Sequence, residues 1–401
     1  MHDVFVGRQP IYDRQLDVYA YELLFRSGES NQAGVTDGDQ ATSQVILNTF
    51  MEIGLETIVG QKLAFINLTR GFILQDYSAV FPAGRVVMEV LEDIPVDTEL
   101  IDAVRRSSSQ GYLIALDDFI YHERLQPLVE IADIIKVDVL TMDQVALQEH
   151  VAALRPYKVK LLAEKVETQD HFKYCRDLGF DYFQGYFFCK PEVIKGQRVP
   201  ANRLVTLQLL AKLQNPEVDF GELEEVISRD VSLSYKLLRV VNSAFYSLPR
   251  KVESLRQALL MLGTRNIATW VSVILLSGLD DKPHELMVTA MVRAKMCELL
   301  AQCLGQRSKA TFFTVGLFSA LDALLDSPME DILKSLPLSD DIVTALLSYK
   351  GILGDTLQCV LAYERGDWDR VHCAALDSAT ITEAYLQAIT WTSEASKSLA
   401  V

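Results

Sequence analysis

Between residues 63 and 188, six short apolar runs recur about two dozen residues apart, and nearly every one ends on a polar or charged side chain. They are LAFINLT (63–69), RVVMEVLE (85–92), YLIALDDF (112–119), DIIKVDVL (133–140), KLLAEKVE (160–167) and DYFQGYFF (181–188). Rich in β-branched residues and separated by helix-like segments, they carry the βα rhythm of a parallel sheet or barrel. Because they are near-continuously apolar rather than alternating, they read as strands buried on both faces. The spacing predicts an α/β fold of the TIM-like (β/α)8 kind, in which the carboxyl ends of the strands converge on one face, where active sites sit.

The side chains that meet there on this reading are Asn67, Glu89, Asp117, Asp118, Lys136, Glu164 and Gln184, joined by Glu22 from the run YAYELLFR. Carboxylate and amide oxygens without His or Cys are hard ligands that suit Mg2+ or Mn2+ rather than Zn2+. Adjacent carboxylates such as Asp117 and Asp118 can flank two ions, the arrangement that clamps the attacking and leaving oxygens of a phosphodiester. Lys136 would then offset developing negative charge, and Glu164 would orient or deprotonate a water. Taken singly, each residue has a plain structural reading. The Asp pair would be an N-cap or solvated loop, Asn67 and Gln184 turn residues, Lys136 a strand-end salt bridge and Glu22 a solvent-facing position on a helix. Their shared place at the ends of successive strands favours a site.

At 401 residues the chain is too long for one ordinary core, and two domains of about 200 residues are expected. With 54 acidic against 38 basic residues, the formal charge of −16 repels polyanions and leaves no basic stripe for general nucleic-acid binding. The six cysteines form no CxxC pair and read as reduced core thiols. The start, MHDVFVGRQPIYDRQ, lacks a basic segment followed by an apolar one, so a secretory signal is not expected. The uncharged apolar stretch Asn266 to Leu279 is 14 residues long, short of the roughly 20 needed for a membrane span, and reads as a buried helix. Cytoplasmic residence without a membrane partner is the expectation.

After Pro191 and the polar connection KGQRVPAN (195–202) the periodicity becomes helical, which sets domains at 1–195 and 196–401. Leu204, Leu207 and Ala211 open one stripe; Leu233, Leu237, Val240 and Ala244 form another. Asp219 and Ser254 are expected N-caps, and Gly263 and Gly305 expected helix stops. No strand is expected after residue 200.

The run QPIYDRQLDVYAYELLFR resembles the opening of EAL domains, which hydrolyse the bacterial second messenger cyclic di-GMP. Asn67 in FINLT, Glu89 and Glu92 in MEVLE, Asp117 and Asp118 in LDDF, Lys136 and Asp138 in IKVD, Glu164 and Glu167 in AEKVET, and Gln184 in FQGYFF match later EAL motifs in order, over residues 4 to 195. The resemblance implies an EAL-type barrel in which Glu22, Asn67, Glu89, Asp117 and Asp118 hold two Mg2+ or Mn2+ ions. Lys136 and Glu164 would position and activate water, supported by Gln184 and Glu167. Arg26 and Gln9 would contact the substrate, and the product would be linear pGpG. A homodimer through the barrel is a further implication. The chain departs from the family where Ile120, Tyr121 and His122 follow Phe119 in place of the usual Gly-Thr-Gly, and where Lys165 replaces a glycine. Glu92, the usual anchor of that loop, is retained. Two readings stay open: a phosphodiesterase, or a weak or inactive receptor that binds cyclic di-GMP.

Residues Ile227 to Ile267 resemble the HDOD domain, an all-helical module related to HD phosphohydrolases, with the match running over 200 to 390. Its most telling pieces are Asn242-Ser243-Ala244-Phe245-Tyr246 and Leu262-Gly263. Ser319 and Ala320 stand where an HD pair is expected, and His284 and His372 read as isolated surface residues. The resemblance therefore implies a non-catalytic interaction or output role with an unknown signalling protein. Asn242 with Arg239 reads either as a recognition surface or as a structural amide. Tyr235, Phe245 and Tyr246 read as core or as a docking patch.

Overall fold

The structure is a computed structural model describing residues 4–27, 54–74, 81–185, 209–211, 213, 220–228, 231–242, 252, 254–277, 282–334 and 336–399. The connection 195–202 and the expected Leu204, Leu207, Asp219, Ala244, Phe245 and Tyr246 lie outside these residues, as do the side chains of Arg26 and Arg239. The chain divides into two compact units, Met1–Phe188 with Glu364–Gly366, and Cys189–Tyr363 with Asp367–Val401.

The first unit is a closed eight-stranded barrel with strands in sequence order. These are β1 (Val4–Tyr12), β2 (Val18–Ser27), β3 (Leu63–Leu68), β4 (Val86–Val90), β5 (Leu113–Leu116), β6 (Ile134–Asp138), β7 (Lys160–Glu164) and β8 (Tyr182–Phe183). All six apolar runs are strands. The ring departs from the all-parallel expectation at β1, which is antiparallel to both β2 and β8. The cause is local: Asp13–Asp17 is too short for a parallel crossover and closes a hairpin instead. Asp13 Oδ1 accepts from Gln15 N at 2.9 Å and Asp17 N at 3.0 Å, and Leu16 takes φ 66.

Ile11, Ala20, Phe65, Val87, Ala115, Ile134 and Leu162 form one buried cluster inside the barrel, with Tyr182 packed against it. Side chains alternate across a strand, so the residue two positions further along also points inward. That step gives Glu22, Asn67, Glu89, Asp117, Lys136, Glu164 and Gln184. On antiparallel β1 the step runs backwards and gives Gln9, which pairs with Glu22. The polar set is thus the barrel layer immediately above the apolar one. Capped helices cover the outside: Asp97, Asp143 and Thr168 accept from Leu100 N, Ala146 N and His171 N.

The described residues of the second unit are helical, without a strand. Leu233, Leu237 and Val240 are buried on the helix Val231–Val241, and Ser254 Oγ accepts from Gln257 N at the start of Leu255–Ser277. Gly263 (φ 81, ψ 157) interrupts that helix rather than ending it. At 23 residues it exceeds the apolar stretch read from sequence. By length and composition alone, it would suffice to cross a membrane. It carries Trp270, Val271, Val273 and Ile274 into the core, where Trp270 meets Trp391 at 5.5 Å. Gly305 (φ 67) terminates His284–Cys303, with Gln306 N bonded to Ala301 O at 2.9 Å. Gly316 lets two helices touch, since a Cβ there would lie 2.5 Å from Arg293 O.

Candidate functional site

Lys136 stands at the centre of the polar layer with 1 % of its side chain exposed. Its Nζ lies 2.6 Å from Asp117 Oδ1, 2.7 Å from Glu89 Oε1, 3.1 Å from Glu164 Oε1 and 3.4 Å from Glu22 Oε2. Glu22 sits mid-strand on β2, not on a helix, and accepts further bonds from Asn67 Nδ2 at 3.0 Å and Gln184 Nε2 at 2.8 Å. Main-chain bonds fix the strand ends: Asp117 N to Val90 O, Phe119 N to Lys136 O, and Val166 N to Gln184 O, each at 3.0 Å. Gly185 (φ 146) permits the last, because a Cβ there would lie 2.1 Å from Val166 O.

Burial and mutual repulsion divide the carboxyls. Burial drives Glu89 well above its ordinary range, with the charges of Glu22 and Asp117 adding to the shift against the pull of Lys136. Burial likewise raises Asp117, and it pushes Glu164 up to about 8. Burial would also raise Glu22, but the Lys136 charge and the bonds from Gln184 and Asn67 outweigh it and hold this carboxyl low. Lys136 loses hydration, yet four surrounding carboxylates keep it firmly charged. The site therefore contains a fixed cation, one reliably ionised carboxylate and neighbours poised to exchange protons.

Asn67 Oδ1, Glu89 Oε2, Asp118 Oδ1, Glu164 Oε2 and Gln184 Oε1 are buried oxygens with no hydrogen-bond partner. Orphaned buried oxygens of this kind call for a cation or ordered water, and an all-oxygen donor set fits a hard divalent ion. The Lys136 ammonium fills the middle of the group. Among the described residues, no three His, Cys, Asp or Glu side chains are spaced to share a metal ion.

The other expected residues lie further out. Gln9 is half-buried on β1 beside Glu22. Arg26 is on β2 opposite Phe5, three residues beyond the Gln9–Glu22 pair. Glu92 is exposed on the turn after β4, and Glu167 is exposed after β7. Two residues outside the expected set belong to the mouth: Asp138, buried at the end of β6, and Lys165, which bonds it. Asp138 lies two residues beyond Lys136, so the inward alternation alone points to it.

The segment after Asp118 is held by its own contacts. Phe119 is buried and its main chain is bonded by His150; Tyr121 Oη lies 2.9 Å from Tyr157 Oη. His122 Nδ1 accepts from Arg124 N and caps the short helix Glu123–Leu125. Ile120 is left 65 % exposed. In the second unit, Asn242 proves structural: its amide donates to Leu238 O and Val252 O and accepts from Val252 N at 2.7 Å. His284 and His372 are exposed, and Tyr235 is 59 % exposed. Ser319 Oγ bonds Gly316 O and receives Arg293 Nη1 at 3.3 Å.

Fold and site define an α/β-barrel protein with a carboxylate-rich mouth built round a buried lysine. The EAL domain family matches residues 63–191, and the HDOD domain family matches residues 199–326. Over 404 residues the chain is 35% identical to the uncharacterized protein YuxH of Bacillus subtilis, covering 97% of this chain and 98% of that one. Over 405 residues it is 35% identical to the cyclic di-GMP phosphodiesterase CdgJ of Vibrio cholerae, covering 98% and 93%. A standalone EAL protein from Vibrio cholerae, solved with cyclic di-GMP bound, aligns at TM-score 0.37 and 23% identity over 47% of this chain and 92% of that chain. By its near full-length identity with these relatives, the chain belongs to the family of proteins that join an EAL domain to an HDOD domain.

Proposed function

We propose that the barrel hydrolyses cyclic di-GMP to linear pGpG with Mg2+ or Mn2+, and that the HDOD domain is a non-catalytic module contacting a signalling partner. The observation that carries the reading is the layer of oxygen donors around Lys136, with buried oxygens left unpaired. Glu22, Asn67, Glu89, Asp117 and Asp118 would hold the divalent cation, which lowers the pKa of water and draws charge from the phosphodiester. Lys136 supplies a second positive charge where the pentavalent phosphate builds up negative charge. Glu164 takes the proton of the attacking water, a role suited to a carboxyl poised near neutrality. Gln184 and Asn67 hold Glu22 in place. Gln9 and Arg26 would meet the ligand, and Glu167 would support the site from the β7 loop.

Incubating the full chain with cyclic di-GMP and Mn2+, and separating the nucleotides, tests the reading. Linear pGpG from the unmodified protein and none from Asp117→Asn is the expected result; no product from a folded sample that binds the nucleotide would remove the enzymatic claim. A second reading, binding without turnover, is favoured by Lys136 filling the centre of the carboxylate group. Calorimetry with cyclic di-GMP separates the two, since only a receptor binds tightly and returns the ligand intact.

A further inference from the structure

Two residues at the mouth hold backbone angles that residues with side chains seldom adopt, Asp118 at φ 41 and Lys165 at φ 56. Such angles persist where the surroundings over-determine them. The surroundings here are main-chain bonds on either side of Lys165, from Val139 N to Glu164 O at 3.4 Å and from Val166 N to Gln184 O at 3.0 Å. The side chains of the two residues meet: Lys165 Nζ lies 3.9 Å from Asp118 Oδ2. The same ammonium bonds Asp138 Oδ2, while Asp138 Oδ1 accepts from Leu140 N at 2.8 Å. Both oxygens of this buried carboxylate are therefore engaged. The mouth thus carries two ammonium groups on separate carboxylate sets, Lys136 on Glu22, Glu89, Asp117 and Glu164, and Lys165 on Asp118 and Asp138.

We propose that Lys165 is a built-in counter-cation for Asp118 and Asp138, so that this barrel takes one divalent ion, on the side of Glu22, Asn67, Glu89 and Asp117, rather than two. A divalent ion at Asp118 would stand within a few ångströms of a fixed ammonium in a partly desolvated mouth, where like charges repel strongly. The ammonium already neutralises the carboxylates that such an ion would bridge. Lys165 is a positioning residue: it holds Asp118 and Asp138 at the rim and leaves the inner layer to the ion. The assignment rests on the divalent-ion reading above.

Titrating the metal-free full chain with Mn2+ alone, followed by calorimetry and by the paramagnetic signal of free Mn2+, counts the ions without any turnover. The unmodified chain and Lys165→Arg are expected to bind one Mn2+ per chain, and Lys165→Met two. Two ions on the unmodified chain overturn the assignment while leaving the divalent-ion reading intact. One ion on Lys165→Met overturns it as well, and no ion on any of the three proteins removes both.

Discussion

Lys136 Nζ lies 2.6 Å from Asp117 Oδ1, and the same ammonium ties together four strands of the barrel through Glu22, Glu89 and Glu164. Removing one partner of a buried charge group leaves the others uncompensated, at a cost of about 3 kcal/mol or more. Lys136→Met is therefore expected to destabilise the metal-free protein near neutral pH and to abolish hydrolysis. The stability loss shrinks toward about pH 5, where the orphaned carboxyls take up protons. Urea unfolding in a chelator checks this; a loss independent of pH would contradict the electrostatic cause.

Glu164 gives a pH dependence of definite sign. Its folded pKa is about 8 against a reference of 4.5. Between these values the folded chain binds more protons than the unfolded one, so this residue makes stability fall as pH rises from about 4.5 to about 8 and leaves it level above. Metal-free Glu164→Gln should show a shallower decline over that window than the unmodified protein. Parallel unfolding curves for the two would show that the Glu164 proton is not linked to folding.

The Tyr121–Tyr157 pair tethers the segment that carries Asp118. Losing one hydroxyl from a part-exposed hydrogen bond costs about 1 kcal/mol. Tyr121→Phe and Tyr157→Phe should each cost that much, and the double variant no more than either alone, because both remove the same bond. A double-mutant cycle reads this directly, and fully additive losses would mean that the two hydroxyls act separately.

Gly185→Ala places a methyl group 2.1 Å from Val166 O at a φ of 146. Backbone must move, so a loss of at least about 2 kcal/mol is expected, together with reduced turnover as Gln184 shifts off Glu22. Thermal melting and product formation check both parts. An alanine variant with unchanged melting would show that β7 and β8 part without cost.

Asn242 joins the end of Val231–Val241 to Val252 through three hydrogen bonds. Asn242→Ala should speed amide exchange at Val252 roughly tenfold, the equivalent of about 1.4 kcal/mol, and leave cyclic di-GMP hydrolysis unchanged. Unaltered exchange at Val252 would put the ordering of this segment elsewhere.

Glu89, Asp117, Lys136 and Glu164 were legible because each closes or nearly closes an apolar run, and such runs mark strands whatever surrounds them. β1 and β2 were not read as strands: their apolar residues are mixed with Arg8, Gln9, Glu22 and Arg26, so no continuous run announces them. The missed signal is the two-residue step from the apolar layer, which links Ala20 to Glu22 and Ile11 to Gln9 as firmly as Val87 to Glu89. Asn242 was ambiguous in sequence because its partner, the Val252 backbone, is ten residues away across a turn.

The sequence by itself determined the strand rhythm, the oxygen-rich donor set and the helical second half, since these follow from side-chain type and spacing along one segment at a time. Only the tertiary structure decided that Lys136 fills the carboxylate centre, that Lys165 holds Asp118 and Asp138, and that β1 closes the ring antiparallel. Each depends on distances between residues far apart in the chain, and these distances arise only when the barrel closes and buries charges that water would otherwise keep apart.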